Sequence, residues 1–162
     1  QRFVATGRRR LALIAGPATS TSGQRRIDGY RVGLKEAGLV FDPQSMEHCQ
    51  PVTEGGRSAA AQLLARRPKI DAMLAFNDLV AVGAMQACED AGRRVPDDVA
   101  IIGIDDIPLA VIVRPHLTTL HVDLEAVGRL AMNKILGIIH QPDAPAHATH
   151  WIDPQLIIRD SA

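Results

Sequence analysis

Two adjacent carboxylates, Asp105 and Asp106, directly follow an apolar run over residues 99–104. A continuous apolar run of this length, bounded by turn residues, is typical of a strand that a parallel sheet buries on both faces. Open α/β sheets bind their ligands beyond the carboxyl ends of such strands. We therefore expect Asp105 to contact a ligand, whereas we expect Asp106 to cap a following short helix or to be solvated.

Polar residues also follow the other strands that the pattern predicts. They are Ser20 and Ser22 after the first strand, Gln50 after the second and Asn77 after the third. The carboxyl ends of parallel strands meet at one edge of a sheet, and Arg26, on the helix after the first strand, can reach across that edge. A guanidinium, a carboxamide and a carboxylate each form paired hydrogen bonds, so this set suits a neutral polyhydroxylated ligand better than a phosphate.

Four strand-then-helix units in succession position these residues. The predicted strands cover residues 11–15, 45–49, 71–76 and 99–104. Right-handed crossovers between such units leave few alternatives to a parallel sheet with helices on both faces. The predicted fold class is therefore α/β, a three-layer α/β/α arrangement around a parallel sheet. Ser22 and Thr53 are expected to cap the first two of these helices.

Two later helices differ in their apolar pattern. The helix over residues 79–91 is apolar nearly all round, so one side can cover the sheet while the other argues for a partner subunit. A longer helix, capped by Asp123, carries one regular apolar stripe that we expect to dock on another surface. The stripe consists of Leu124, Val127, Ala131, Ile135 and Ile138. Two short strands, over residues 151–152 and 156–158, follow it.

Composition argues against several classes of function. Eighteen basic and eighteen acidic residues balance, which gives no overall attraction to DNA or to an anionic membrane. Aromatic residues make up only 3% of the chain, too few for a platform that stacks single-stranded nucleic acid. No apolar run approaches the length of a membrane span. Two isolated cysteines, Cys49 and Cys88, suit a reducing compartment and favour a cytoplasmic location.

The usual motifs for catalysis and cofactor binding are missing. No G-x-G-x-x-G loop follows a strand, and neither a Walker motif nor a G-x-S-x-G elbow occurs. Asp105 and Asp106 would point to opposite faces of a strand, so they cannot flank one bond as a glycosidase pair. His147 and His150 have a metal-like spacing but stand in a Pro/Ala loop without a third ligand. We therefore expect no catalytic residue, cofactor or metal, and an enzyme is disfavoured.

Several short motifs together resemble one family of proteins. They are Gly16-Pro17 with the Ser/Thr-rich loop after it, Arg26 through Tyr30, the runs 76–84, 95–99 and 103–108, and Leu117-Thr118-Thr119. Their order and spacing, from about Arg8 to Ser161, resemble those of the LacI/GalR transcriptional regulators. Members of that family join an N-terminal helix-turn-helix headpiece to an effector-binding domain made of two periplasmic-binding-protein-like lobes.

This resemblance implies a domain assignment. Residues 1–121 and 155–162 match the C-terminal lobe, and residues 122–154 match a crossover helix and strand that belong to the other lobe. The DNA-binding headpiece and most of the N-terminal lobe are then expected outside this chain. A lone lobe should bind ligand poorly, because half of the cleft walls are absent.

The resemblance also implies functional residues. The implied effector-binding residues are Arg26, Asn77, Asp105, Ser20, Ser22 and Pro51. The first three align with an arginine, an asparagine and an aspartate typical of sugar effectors, and the two serines match loop positions that vary with the effector. Pro51 stands where relatives often have an aromatic side chain against the ligand ring. The implied dimer surface consists of Leu79, Val82, Met85, Gln86, Leu109, Ile112 and Val113.

The function implied is the ligand-sensing and dimerisation part of a repressor. A small effector, either a sugar, a sugar-like molecule or a purine, would modulate the binding of operator DNA by the headpiece of a homodimer, without contact with a membrane. The alternative is a periplasmic sugar-binding protein of an ABC transporter, which shares the lobe architecture. The motifs at 105–108 and 117–119 resemble repressors more closely. An upstream signal peptide would indicate the transporter, and an upstream helix-turn-helix the repressor.

Overall fold

A single sheet organises the computed structural model, which describes residues 1–140 and 152–162. Its strands are β1 (Leu11–Ala15), β2 (Met46–His48), β3 (Ala72–Ala75), β4 (Ala100–Asp105), β5 (Thr118–His121) and β6 (Gln155–Ile157). Within the described residues these strands form one six-stranded sheet in the order β2-β1-β3-β4-β5-β6. All neighbouring pairs from β2 to β5 are parallel, as the sequence predicts.

The last strand departs from the predicted parallel sheet. β6 pairs antiparallel with β5, with His121 opposite Gln155. The chain therefore leaves β5 and re-enters the sheet at the same edge, which forces the returning strand to run in the opposite direction. The predicted parallel sheet is confirmed from β2 to β5, and β6 adds one antiparallel strand at its edge. Trp151, from the predicted strand at residues 151–152, lies outside the described residues.

Helices flank the sheet on both faces, which confirms the three-layer prediction. The described helices are α1 (Arg2–Ala5), α2 (Thr21–Glu36), α3 (Thr53–Arg66), α4 (Asp78–Asp90) and α5 (Leu124–His140), with short 3-10 segments at Pro43–Ser45 and Pro108–Val111. Successive side chains of a strand point to opposite faces. Accordingly, Leu13 packs with Ile27 and Leu34 of α2, whereas Ile14 joins the larger core formed with α3 and α4.

Helix α4 is covered on its second apolar side by α3, within the same chain. A Cβ atom on Gly83 would lie 1.9 Å from the carbonyl oxygen of Thr53, and one on Gly56 would lie 2.2 Å from that of Val80. The two backbones approach so closely only because both positions lack a side chain. Contrary to prediction, α4 therefore needs no partner subunit to bury its second side, since α3 already covers it.

Two predicted helix caps are shifted. Ser20 rather than Ser22 caps α2, because its Oγ accepts a hydrogen bond from the Gly23 N–H at 3.1 Å. This earlier start places Arg26 in the second turn of the helix instead of the first. Thr53 is the first residue of α3 and not its cap. The cap of α5 is confirmed, since Asp123 Oδ1 accepts from the Ala126 N–H at 2.8 Å.

Helix α5 is exposed along its whole length. Among its described residues none is buried, and the exposed fraction reaches 63% at Leu124 and 65% at Ile139. The apolar stripe predicted from the sequence thus docks on no other part of the chain that the structure describes. None of the helices within residues 1–140 and 152–162 is long and apolar enough to cross a membrane.

Candidate functional site

Arg26 and Asp105 meet at the carboxyl edge of the sheet, as predicted. One guanidinium nitrogen, Nη1, donates to the carbonyl oxygen of Phe76, and the guanidinium carbon lies 4.3 Å from the centre of the Phe76 ring. The other nitrogen, Nη2, lies 3.7 Å from Asp105 Oδ1. The Phe76 carbonyl and ring therefore hold the arginine in place, while its contact with the carboxylate is loose.

Asn77 follows Phe76 and has a structural role as well as a place at the same edge. Its Oδ1 accepts from the Val80 N–H at 2.9 Å, which caps α4. Its Nδ2 donates to the Pro51 carbonyl oxygen at 3.4 Å, a long hydrogen bond. The capping oxygen is committed to the helix, so the amide nitrogen is the group that a ligand can recruit.

The serines and the proline line the loops around these residues. Ser20 and Ser22 have their hydroxyl oxygens 3.0 Å apart at the start of α2. Ser22 is exposed and Pro51 is half-buried. The structure thus joins Arg26 to Asp105 and joins Asn77 to Pro51 by direct contacts, and the two serines form a separate pair on the α2 side.

Partial burial changes the acidity of both charged groups. Burial lowers the pKa of Arg26, and the nearby Asp105 opposes this shift. Burial raises the pKa of Asp105, and Arg26 acts in the opposite direction. In both cases loss of water outweighs the attraction between the two charges. A ligand hydroxyl that bonds to both groups would replace some of the lost hydration.

The turn that presents Asp105 has an unusual backbone. Asp105 has φ +115° and Asp106 has φ +57°. Positive φ values are uncommon for residues other than glycine, and such conformations cluster at functional sites. The surrounding contacts must hold this turn in place.

Asp78 is one of those contacts, although no role was predicted for it from the sequence. The carboxylate is buried, and it accepts a hydrogen bond from the Thr119 hydroxyl at 2.5 Å and one from the Ile107 N–H at 2.9 Å. Burial raises its pKa, and these two hydrogen bonds act against that shift. Asp78 thereby connects the start of α4 with β5 and with the turn after Asp105. A signal for it exists in Gly103, whose missing side chain leaves room for this carboxylate.

Asp106 is neither a helix cap nor solvated, contrary to prediction. Its Oδ1 accepts from Arg159 at 2.7 Å, and its Oδ2 lies 3.1 Å from His121 Nδ1. The following 3-10 segment begins at Pro108 without a side-chain cap. Asp106 instead fastens the turn to His121, the last residue of β5, and to Arg159, which follows β6.

The predicted dimer residues lie near one another on α4 and the segment after β4. Val82, Met85, Gln86 and Val113 line one cavity of about 620 Å³. Ile112 is exposed, and Leu79 and Leu109 are half-buried outside that cavity lining.

Metal binding has no visible basis in residues 1–140 and 152–162. No group of three or more His, Cys, Asp or Glu side chains in these ranges is arranged to hold a metal ion. His147 and His150 lie outside the described residues.

Comparison with known proteins relates this chain to transcriptional regulators. The family model described as "Periplasmic binding protein-like domain" matches residues 1–162. The HTH-type transcriptional regulator CelR of Thermobifida fusca is 35% identical over 165 residues, which cover 99% of this chain and 47% of CelR. The ribose operon repressor of Escherichia coli K12 is 37% identical over 163 residues, which cover 100% of this chain and 49% of the repressor.

A solved structure supports the same relationship. The transcriptional regulator CelR–cellobiose complex superimposes with a TM-score of 0.93 at 33% identity, over 99% of this chain and 49% of that chain. The chain therefore spans about half the length of the relatives that it matches.

Proposed function

Since this chain belongs to the periplasmic binding protein-like domain family, in the group of the LacI/GalR transcriptional regulators, we propose that it senses a small sugar for a DNA-binding repressor. The ligand binds at the carboxyl edge of the sheet, against Arg26, Asn77 and Asp105. Two of the relatives are a ribose operon repressor and a regulator solved with cellobiose, and both names point to sugars.

The observation that carries this proposal is the loose pair of Arg26 and Asp105. At 3.7 Å the two groups are too far apart to satisfy each other with a short hydrogen bond, yet both are partly dehydrated. A sugar hydroxyl placed between them can donate to the carboxylate and accept from the guanidinium. The amide nitrogen of Asn77 can exchange its long bond to the Pro51 carbonyl for a second hydroxyl.

Hydrogen bonds rather than ring stacking select the ligand. Pro51 replaces an aromatic residue at the edge, and the guanidinium of Arg26 packs against the ring of Phe76. The proposed role of these site residues is to bind the ligand without breaking a bond, as in the relatives, which are transcriptional regulators.

The path of the chain supports the proposed division into lobes. Residues 1–121 and 155–162 form the lobe that carries the site, and residues 122–154 belong to the other lobe. The chain leaves and re-enters the sheet at the ligand edge, and α5 between these points exposes its apolar residues. In a protein of the relatives' length, two lobes would close over the sugar.

Lobe closure would alter the spacing of helix-turn-helix headpieces in a cytoplasmic homodimer and thereby its affinity for operator DNA. The dimer contacts of this lobe come from α4 and residues 108–113. The transporter alternative is not favoured, because the relatives are transcriptional regulators.

A thermal-shift screen tests this function. The full-length product of the gene that encodes this chain is heated with ribose, cellobiose, lactose and a purine, each at millimolar concentration. A ligand that binds the folded state raises the unfolding midpoint by mass action. We expect at least one sugar to raise it and the purine to leave it unchanged. A shift with the purine alone, or with none of the compounds, would contradict the proposal.

A further inference from the structure

A second cavity lies at the opposite edge of the sheet, where the strands begin. It has a volume of about 480 Å³ and extends from the start of β1 to the end of α3. This volume falls within the range of roughly 300–1,000 Å³ that is typical of small-molecule sites. Neither the site at the carboxyl edge nor the implied dimer surface contributes to its lining.

The cavity has one apolar wall and one cationic rim. Leu34 and Leu39 belong to the apolar wall, together with the ring of Tyr30. Five arginine and lysine side chains form the rim, and Asp42 is the only acidic residue that lines it. An apolar wall beside an excess of positive charge is suited to an amphiphilic anion.

Two of the rim cations have no carboxylate partner in the part of the chain that the structure describes. Arg67 pairs with Asp42, and the other two arginines of the rim pair with carboxylates outside the lining. The guanidinium of Arg9, in contrast, donates only to backbone carbonyl oxygens of the described residues. The ammonium of Lys69 forms no hydrogen bond or ion pair with residues 1–140 or 152–162. These two side chains are therefore available to an anion.

A buried hydroxyl provides a second, independent indication of a ligand. Tyr30 as a residue is 9% exposed, and its hydroxyl is buried with no hydrogen-bond partner within the described residues. Buried polar groups without partners are rare in folded proteins. Burial also raises the pKa of Tyr30, so the phenol keeps its proton and remains a donor for an incoming acceptor.

We propose that this cavity binds a small organic anion, with an apolar body against Leu34 and Leu39 and a phosphate or carboxylate group that accepts from the Tyr30 hydroxyl and faces Arg9 and Lys69. This site is separate from the sugar site and would give the protein a second chemical signal. The apolar wall should favour binding of this anion over inorganic phosphate, and the cationic rim should favour it over a neutral apolar compound.

Titration of the ¹⁵N-labelled chain with phenyl phosphate, followed by NMR, tests the proposal. Phenol, which has only the apolar body, and inorganic phosphate, which has only the charge, are titrated separately as controls. We expect saturable shifts at the amides of Leu11, Leu34 and Ile70 with phenyl phosphate, and clearly weaker binding of either fragment. Lys69→Ala should weaken phenyl phosphate binding about fivefold, the upper range for a partly exposed charge pair.

Lys35→Ala is the matched control, because Lys35 is exposed on α2 and does not line the cavity. It should leave the affinity for phenyl phosphate unchanged, and both variants should unfold at the temperature of the wild-type chain. Equal weakening by the two variants, equal binding of inorganic phosphate and phenyl phosphate, or shifts that do not saturate would overturn the proposal. A failure of sugar binding in the thermal-shift screen would leave this result unaffected.

Discussion

Helices α4 and α5 are both rich in apolar residues, yet the chain buries α4 almost completely and leaves α5 exposed. Most residues of α4 are buried between the sheet and α3. No residue of α5 is buried among those that the structure describes. The first helix therefore buries most of its residues within one lobe, whereas the second carries an apolar surface that this lobe does not use.

The two helices also differ in what their glycines do. Gly83 of α4 lies against the backbone of α3, while Gly128 of α5 has no neighbouring atom within 4 Å of an added Cβ. A matched pair of substitutions can therefore separate a packed helix from an unpacked one.

Gly83→Ala should cause the largest loss of stability. The new methyl group would overlap the Thr53 carbonyl and the Arg57 nitrogen, which are backbone atoms that cannot rotate away. We expect a loss of at least about 3 kcal/mol in the free energy of unfolding, measured by urea denaturation. Gly128→Ala should instead leave the unfolding midpoint unchanged and favour helical structure in α5 locally by up to about 1 kcal/mol. Equal effects of the two substitutions would show that the helices do not differ as described.

Asp78→Ala should have the next largest effect. It leaves the Thr119 hydroxyl and the Ile107 N–H buried without an acceptor, at a cost of about 2–4 kcal/mol. Glu125→Ala, in the exposed first turn of α5, is the matched control and should change stability by less than about 0.5 kcal/mol. Urea denaturation of both variants tests this, and a control as unstable as Asp78→Ala would contradict it.

Asp78→Asn tests how the ionisation of Asp78 affects the stability of the chain at different pH values. The amide can donate to the Thr119 oxygen and accept from Ile107, so most of the stability should return. Because burial raises the pKa of Asp78, the ionised carboxylate disfavours folding above that pKa, and this cost disappears as the pH falls through it. The wild-type chain should therefore lose stability relative to Asp78→Asn as the pH rises from about 4, the ordinary pKa of aspartate. A difference in unfolding free energy that stays constant with pH would argue against a raised pKa.

Ile135→Lys should have the smallest effect on the chain itself. Ile135 is 52% exposed on α5, so the change in unfolding free energy should stay within about 0.5 kcal/mol. In the full-length gene product, the same substitution should lower the unfolding temperature, because the proposed other lobe covers this face. An unchanged unfolding temperature there would count against the assignment of residues 122–154 to that lobe.

The sequence predicted the sheet edge well because parallel strands end at a common edge. Arg26 and Asp105 could be placed there from strand order alone, and the structure brings them together. Asp78 could not be placed, since an acidic residue in a first helical turn is normally solvated. Its burial depends on Gly103 and Thr119, which lie far along the chain. The sequence also could not predict which element covers α4, because an apolar helix face does not reveal whether the same chain or another one packs against it.

Calorimetry of Asp105→Asn tests the central claim most directly. Asparagine tolerates the positive φ of this position, so the lobe should keep its fold while the carboxylate charge is lost. In the full-length gene product, with the sugar that gives the largest thermal shift, we predict at least about tenfold weaker binding than in the wild type, since charge-assisted hydrogen bonds are about twice as strong as neutral ones. Asp97→Asn, at an exposed surface ion pair with Arg94, should bind as the wild type does. Unchanged affinity in Asp105→Asn would contradict the assignment of this edge as the sugar site.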